Sequence, residues 1–232
     1  MPNRAIGYRE ADGRRAAERE AGGGGQRASR ARRGGIPGRK IIVYIATSAD
    51  GFIARSDGSV EWLNRPRRAG DYGMSAFFKS IDTILWGRKT YEVALGYTRG
   101  RGVGYGARVK NYVFSRRPPK SRTPDVEFVR EPIQAFARRL RAAPGKNIWV
   151  MGGAGLIASL LDAGEIDEFI VHVVPTFIGE GIPLIAPRRR LVPLRLVSSR
   201  RFADGVVRLR YAVSPGGRAQ PRKGAREGRK RT

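Results

Sequence analysis

The sequence has no cysteine and a single histidine, His172. Without thiols there is no disulfide, no thiolate nucleophile and no cysteine-held zinc, and one imidazole cannot build a histidine-rich metal site. No bound metal is expected. Acidic residues are scarce as well: 20 Asp and Glu stand against 46 Lys and Arg, a formal net charge of +26. No two acids fall at a telling spacing and no Ser/His/Asp set has a credible arrangement, so hydrolase chemistry finds no support. The chain also lacks an apolar run of membrane-spanning length and the apolar core of a secretory signal. The expectation is a cytoplasmic protein that does not enter the membrane.

The ends of the chain are short of large apolar residues. Residues 1–39 hold ten Lys/Arg, four Asp/Glu and the run Gly22 to Gly25, and residues 215–232 hold seven Lys/Arg and one Glu. Neither stretch has enough apolar surface to offset the entropy of ordering a chain, so both are expected to be disordered basic tails flanking one domain over 40–214. The tails carry +6 each, which leaves +14 on the domain. A field of that sign attracts anionic small molecules and gives a salt-sensitive, non-specific affinity for nucleic acid, with the tails as its natural seat.

Between the tails, strand and helix patterns alternate. Ile41 to Ala46 is a β-branched run that reads as a buried strand, and Asp50-Gly51 and Asp57-Gly58 are turn pairs with an extended piece over 51–54. Further strands are expected over 82–86, 111–114, 126–129, 147–151 and 168–174, with helices over 71–80, 90–95, 133–140 and 154–163. Two last strands near 194–202 and 206–213 meet at Ala203-Asp204-Gly205 and read as an antiparallel hairpin. The fold class is therefore α/β, a mostly parallel sheet with an antiparallel edge at its C-terminal end.

Three strand ends carry residues that suit an anion. Gly152-Gly153-Ala154-Gly155-Leu156 joins an apolar strand to an apolar helix, where the absence of Cβ atoms and the first N–H groups of a helix favour a phosphate. Gly87-Arg88-Lys89-Thr90 repeats the pattern with cations and a hydroxyl, although the same residues also suit an ordinary cap. Ser115 and Arg116 follow a third strand, where ligands of open α/β sheets gather; a basic surface loop is the plainer reading. Asp50 follows the first strand and also suits an Asx turn, and Asp71 doubles as a helix N-cap. Glu61 and Trp62 lie between them, the tryptophan able to line a pocket or fill core; His172, inside an apolar strand, reads as packing.

Taken together, Ile45 to Ala54 (IATSADGFIA), Ile84 to Glu92 (ILWGRKTYE), Val113 to Arg116, Val150 to Leu161 (VMGGAGLIASLL) and Val173 to Gly181 (VVPTFIGEG) resemble the dihydrofolate reductase superfamily. Within it the chain is most similar to stand-alone relatives of the reductase domain of riboflavin-biosynthesis deaminase-reductases. The resemblance implies a three-layer domain around a mixed sheet that binds NADPH in extended form and reduces a small pterin-like or ribityl-pyrimidine-like heterocycle. It places Ala46 and Ile53 at the nicotinamide, Gly87, Arg88 and Thr90 at phosphates, and Ser115 and Arg116 near the adenosine 2′-phosphate. Gly152-Gly153, joined by a cis bond in the family, would hold the pyrophosphate with the N–H groups of Ala154, Gly155 and Leu156. Asp50 or Asp71 would orient substrate or relay a proton, and Glu61 and Trp62 would face it. The deaminase domain and its cysteines are absent from this sequence, so a reductase alone is expected, with room for a homodimer. The rival expectation is a nucleic-acid-associated protein on a reductase-like scaffold without catalysis.

Overall fold

The structure, a computed structural model, describes residues 38–65, 70–100, 102–103, 108–117, 123 and 125–214. The tails expected over 1–39 and 215–232 lie outside them, save the last two residues of the first. One of these, Arg39, belongs to the fold. Its guanidinium is buried, donates to Thr83 Oγ1 at 2.6 Å and to the Lys146 carbonyl at 2.5 Å, and pairs with Asp82. The expected boundary therefore moves back by one residue, because a partner 43 positions away neutralises a side chain that composition alone assigns to solvent.

Among the described residues ten strands and four α-helices follow: β1 (Ile41–Ser48), β2 (Phe52–Ala54), α1 (Met74–Lys79), β3 (Ile81–Gly87), α2 (Arg88–Tyr97), β4 (Lys110–Phe114), β5 (Val126–Val129), α3 (Ile133–Ala142), β6 (Asn147–Gly152), α4 (Ala154–Asp162), β7 (Glu168–Val174), β8 (Ile182–Pro183), β9 (Leu194–Arg201) and β10 (Val207–Val213). Eight strands form one sheet in the order β5-β4-β3-β6-β1-β7-β10-β9. The first six run parallel; β10 and β9 are antiparallel to their neighbours. β2 and β8 make a separate two-stranded ladder.

Alternation along the strands builds the layers. In β1, Ile41 and Val43 join Phe136, Leu156 and Leu160 of α3 and α4 on one face, while Ile42 and Tyr44 join Phe77 and Tyr91 of α1 and α2 on the other. β6 divides in the same way, Ile148 and Val150 against Trp149. A strand buried on both faces reads as a continuous apolar run, which is why β1 and β6 stand out in the sequence. Full burial of each such side chain contributes about 1.5–3 kcal/mol, so the register of these central strands is strongly fixed. A third cluster, with Trp62, Val174, Ile178, Phe202 and Val206, closes the region beyond the ends of β1 and β7.

Candidate functional site

The six parallel strands bring the carboxyl ends of β1, β3, β4 and β6 to one edge of the sheet. β3 lies between β4 and β6: Gly87 is level with Phe114, and Trp86 with Gly152. The three loops with anion-binding character are therefore next-door neighbours. From β3 the chain continues into α2 on one face and toward β4; from β6 it continues into α4 on the other face and toward β7. The connections diverge between β3 and β6, and such a switch point is where an open α/β sheet leaves a crevice for a ligand.

The crevice is lined by backbone. The Gly152–Gly153 peptide bond is cis, and Gly152 has φ 122°, a conformation that favours glycine. A Cβ on Gly87 would fall 3.0 Å from the Gly153 nitrogen and 3.3 Å from the Gly152 carbonyl oxygen, so the two segments approach as closely as glycines allow. Around Gly155 a Cβ would meet nothing within 4 Å. Both helices start here without a side-chain cap: Gly87 precedes α2 and Gly153 precedes α4. The first N–H groups of a helix have no partner within it and carry the positive end of its dipole, so two uncapped starts at one crevice favour negative charge.

Thr90 is not the cap that the sequence suggested. α2 begins two residues earlier, and the Thr90 hydroxyl instead stands against Gly153, 2.9 Å from the position of a Cβ there. The Arg88 guanidinium pairs with Glu92 one turn along at 2.7 Å on an exposed surface, a link of little energetic weight that an anion could displace. Ser115 is buried, and its hydroxyl accepts the Arg117 N–H at 3.2 Å, which turns exposed Arg116 and Arg117 outward from the end of β4.

The expected acids behave differently. The Asp50 carboxylate accepts the N–H groups of Ile178 at 3.1 Å and Gly179 at 2.7 Å. A hydrogen bond with Ser48, aided by these amides, holds its pKa below the usual carboxylate value. It is thereby a loop tie and a poor proton donor. Asp71 accepts from the Gly73 and Ser75 N–H groups at 2.8 and 2.9 Å; it ties the start of α1 from two residues before the N-cap, which is Gly73 and not Asp71, and its pKa is lowered first by the Ser75 side chain. Backbone amides thus fix both carboxylates in their loops. Glu61 is taken up on the exposed surface by Arg55 and by Ser59 at 2.9 Å. Trp62 packs with Val174, Ile178 and Phe202, which is the core position that the sequence left open beside the pocket wall. Core packing prevails there because the loop from Thr176 folds back over it, a contact between segments far apart in sequence.

Ala46 and Ile53 are half-buried at the end of β1 and in β2. The sequence reading used Val173 to Gly181 for the resemblance but named no site residue in 176–186, the segment that straps this edge together. Thr176 accepts from the Ala49 N–H at 2.8 Å, Leu184 donates to Gly51 at 3.1 Å, and Ala186 donates to Ala154 at 3.2 Å. The strap thus links the β1 loop to the start of α4; its signal in the sequence is the pair Gly179 and Gly181. His172 is buried beside Ala46, its Nε2 3.2 Å from the Tyr72 carbonyl and 3.4 Å from the Tyr44 hydroxyl. Burial lowers its pKa, so the ring is neutral at pH 7. Tyr72 in turn donates its hydroxyl to Asp204. This Tyr44–His172–Tyr72–Asp204 network was not foreseen as a unit, because its members come from four separate elements.

A mixed eight-stranded sheet between helical layers, with glycine junctions at its switch point, is the dihydrofolate-reductase-like α/β fold. The RibD C-terminal domain family matches residues 39–208, and the chain belongs to that family, the reductase domain of riboflavin biosynthesis. The uncharacterized protein YwjB of Bacillus subtilis (strain 168) is 38% identical over 169 residues, covering 72% of this chain and 95% of that protein. A putative riboflavin biosynthesis protein from Shewanella sp. PV-4 superposes with a TM-score of 0.66 at 23% identity, covering 76% of this chain and 99% of that one. A diaminohydroxyphosphoribosylaminopyrimidine deaminase/5-amino-6-(5-phosphoribosylamino)uracil reductase from Thermotoga maritima gives a TM-score of 0.58 at 14% identity, covering 76% of this chain and 57% of that one. The last two likenesses concern the fold.

Proposed function

We propose that the protein is an NADPH-dependent reductase that passes hydride to a small heterocyclic substrate of the pterin or ribityl-pyrimidine kind. The observation that carries this reading is the meeting of Gly87 with Gly152 and Gly153 between two uncapped helix starts. The residues present suit a phosphorylated dinucleotide: bare backbone for close approach, open ground over Gly155, and Arg88, Arg116 and Arg117 on the same edge. The N–H groups of Ala154, Gly155 and Leu156 would hold the pyrophosphate, with Thr90 beside Gly153. Ser115 and Arg116 would take the 2′-phosphate, and Ala46 and Ile53 would border the nicotinamide.

Bound NADPH would supply the hydride; the chain supplies binding, orientation and exclusion of water. Ala46 and Ile53 offer apolar surface near the end of β1. The strap over 176–186, fastened by Asp50, holds that surface in register with the start of α4. Asp50 or Asp71 would orient the substrate through a carboxylate already fixed by backbone amides.

The test is thermal melting of the full chain with NADPH, NADH and DNA at low and raised salt, followed by NADPH absorbance with pterin and ribityl-pyrimidine substrates. A salt-tolerant rise in Tm with NADPH supports the reading. A rise with DNA alone would favour the rival, nucleic-acid reading and sink this one.

A further inference from the structure

Near the turn between β9 and β10, two buried donors find no acceptor among the described residues. The Arg65 guanidinium gives Nη2 to the Asp204 carbonyl at 2.9 Å, while its Nη1 is buried and unpartnered. The Trp62 indole is in the same condition: the residue is 8% exposed and its Nε1 has no partner. A buried donor without an acceptor bears the full cost of leaving water, more so when charged, and native interiors seldom leave one so. Two such groups in one neighbourhood point to an acceptor that arrives from outside.

The neighbourhood adjoins Ala46, the border proposed for the nicotinamide. Trp62 packs with Phe202 and Val206, and both Ala46 and Tyr72 pack against that cluster. Tyr72 is held there at φ 55°, a left-handed conformation that is costly for a bulky residue; Gly70 and Gly73, left-handed on either side of it, are glycines. Its surroundings over-determine it. The carbonyl takes His172 Nε2 at 3.2 Å, the hydroxyl donates to the Asp204 carboxylate, and the ring meets Phe202 edge to face with centroids 5.0 Å apart. Asp204 therefore anchors Tyr72 through its side chain and Arg65 through its carbonyl.

We propose that Arg65 sets the substrate specificity of this site: with the Trp62 N–H, it donates to the oxo edge of a flat heterocycle that lies between Ala46 and Tyr72. The inference rests on the reductase reading and names the group by which the substrate is chosen. The lining favours an oxo group over a phosphate. Ala46, Phe52, Val174, Ile178 and Phe202 are apolar, and of the two unpartnered donors only Arg65 is charged, so a dianion taken out of water here is left under-compensated. A carbonyl oxygen is far less costly to desolvate, and a guanidinium N–H and an indole N–H match its two lone pairs. An amino group in the same place sets donor against donor.

Equilibrium binding of two matched pterins to the full chain, with and without NADP⁺, tests the proposal; one carries the oxo group and the other an amino group in its place. Wild type should favour the oxo compound at least ~10-fold. Arg65→Gln keeps a donor for the Asp204 carbonyl but can also accept, and should bring the preference within about twofold. Arg200→Gln removes an exposed cation from beside the same turn, where it lies over the Phe202 ring at 5.1 Å, and should leave the preference intact. A wild type that binds neither compound or shows no oxo preference would overturn the proposal. So would an Arg65→Gln variant that weakens both compounds alike, as a purely structural role requires. NADPH affinity measured on the same wild-type sample reports on the reductase reading separately: a protein that binds NADPH but does not discriminate oxo from amino loses this inference alone.

Discussion

The hydroxyl of Thr90, on the second residue after the start of α2, stands 2.9 Å from the point that a Cβ on Gly153 would occupy. Gly153 itself has φ −88°, which alanine adopts without strain. Gly153→Ala should therefore fold normally while pushing Thr90 aside and narrowing the crevice. NADPH affinity is expected to fall by about tenfold or more, roughly 1.4 kcal/mol, with Tm nearly unchanged. Titration calorimetry beside a melting curve reads both quantities; unaltered affinity would remove Gly153 from the site.

Gly155 gives the opposite pairing of effects. It is exposed in the first turn of α4, and an added Cβ meets nothing within 4 Å. Gly155→Ala should raise stability by about 0.5–1 kcal/mol through helix propensity. If the open space belongs to a bound pyrophosphate, the same methyl group lowers NADPH affinity. A variant both steadier and tighter-binding would contradict the assignment.

Arg116 is exposed at the end of β4 beside buried Ser115. Arg116→Ala should weaken NADPH much more than NADH, because only the former carries the 2′-phosphate that a guanidinium grips. Comparing KM for the two cofactors measures the difference. Equal losses would assign Arg116 to the general positive field.

His172 should set a step in the pH dependence of stability. Burial lowers its folded-state pKa from the ordinary 6.5, opposed in part by the hydrogen bond to the Tyr72 carbonyl. Above that pH neither state holds the proton. As pH falls below about 6.5 the unfolded chain takes up a proton that the folded chain does not, so stability declines. Tm of the wild type should drop between pH 7 and pH 5, and His172→Gln should flatten that drop. The depressed acids Asp50, Asp71 and Asp204 contribute stability above their ordinary value of 3.8, which is lost only as pH falls below it.

Arg39 carries a stability prediction. Replacing it with methionine keeps the apolar stem but removes the counter-charge of half-buried Asp82, which retains only the Lys146 N–H and the Thr83 hydroxyl, each at 2.8 Å. A loss of about 2–4 kcal/mol is expected by chemical denaturation. A change below about 0.5 kcal/mol would make Arg39 part of the tail after all.

Much of this architecture was legible because local pattern and tertiary burial agree. Val126 to Val129 and Glu168 to Val174 occupy the strands expected of them, and Ile41 to Ala46 sits at the centre of the sheet, where both faces demand apolar side chains. The glycine junctions were legible for a different reason, since close backbone approach leaves few alternatives to glycine. What stayed hidden depends on distant partners. Trp62 turns inward because Ile178 and Phe202 come to it, and Asp50 becomes a tie because the amides of Ile178 and Gly179 arrive from 128 and 129 residues away. β8, two residues long, has no pattern to read at all.

The sheet order has a further consequence for biosynthesis. β1 is made first, yet its neighbours are β6 and β7, with Ile41 level with Ile148 and Ile42 level with Glu168. At ribosomal rates of 5–20 residues per second, the sequence Ile-Ile-Val-Tyr-Ile-Ala waits about 5–20 s for its first ladder. Over that interval it is an adhesive stretch of nascent polypeptide, and the cations Arg39 and Lys40 at its head act as gatekeepers against self-association before the sheet can close around it.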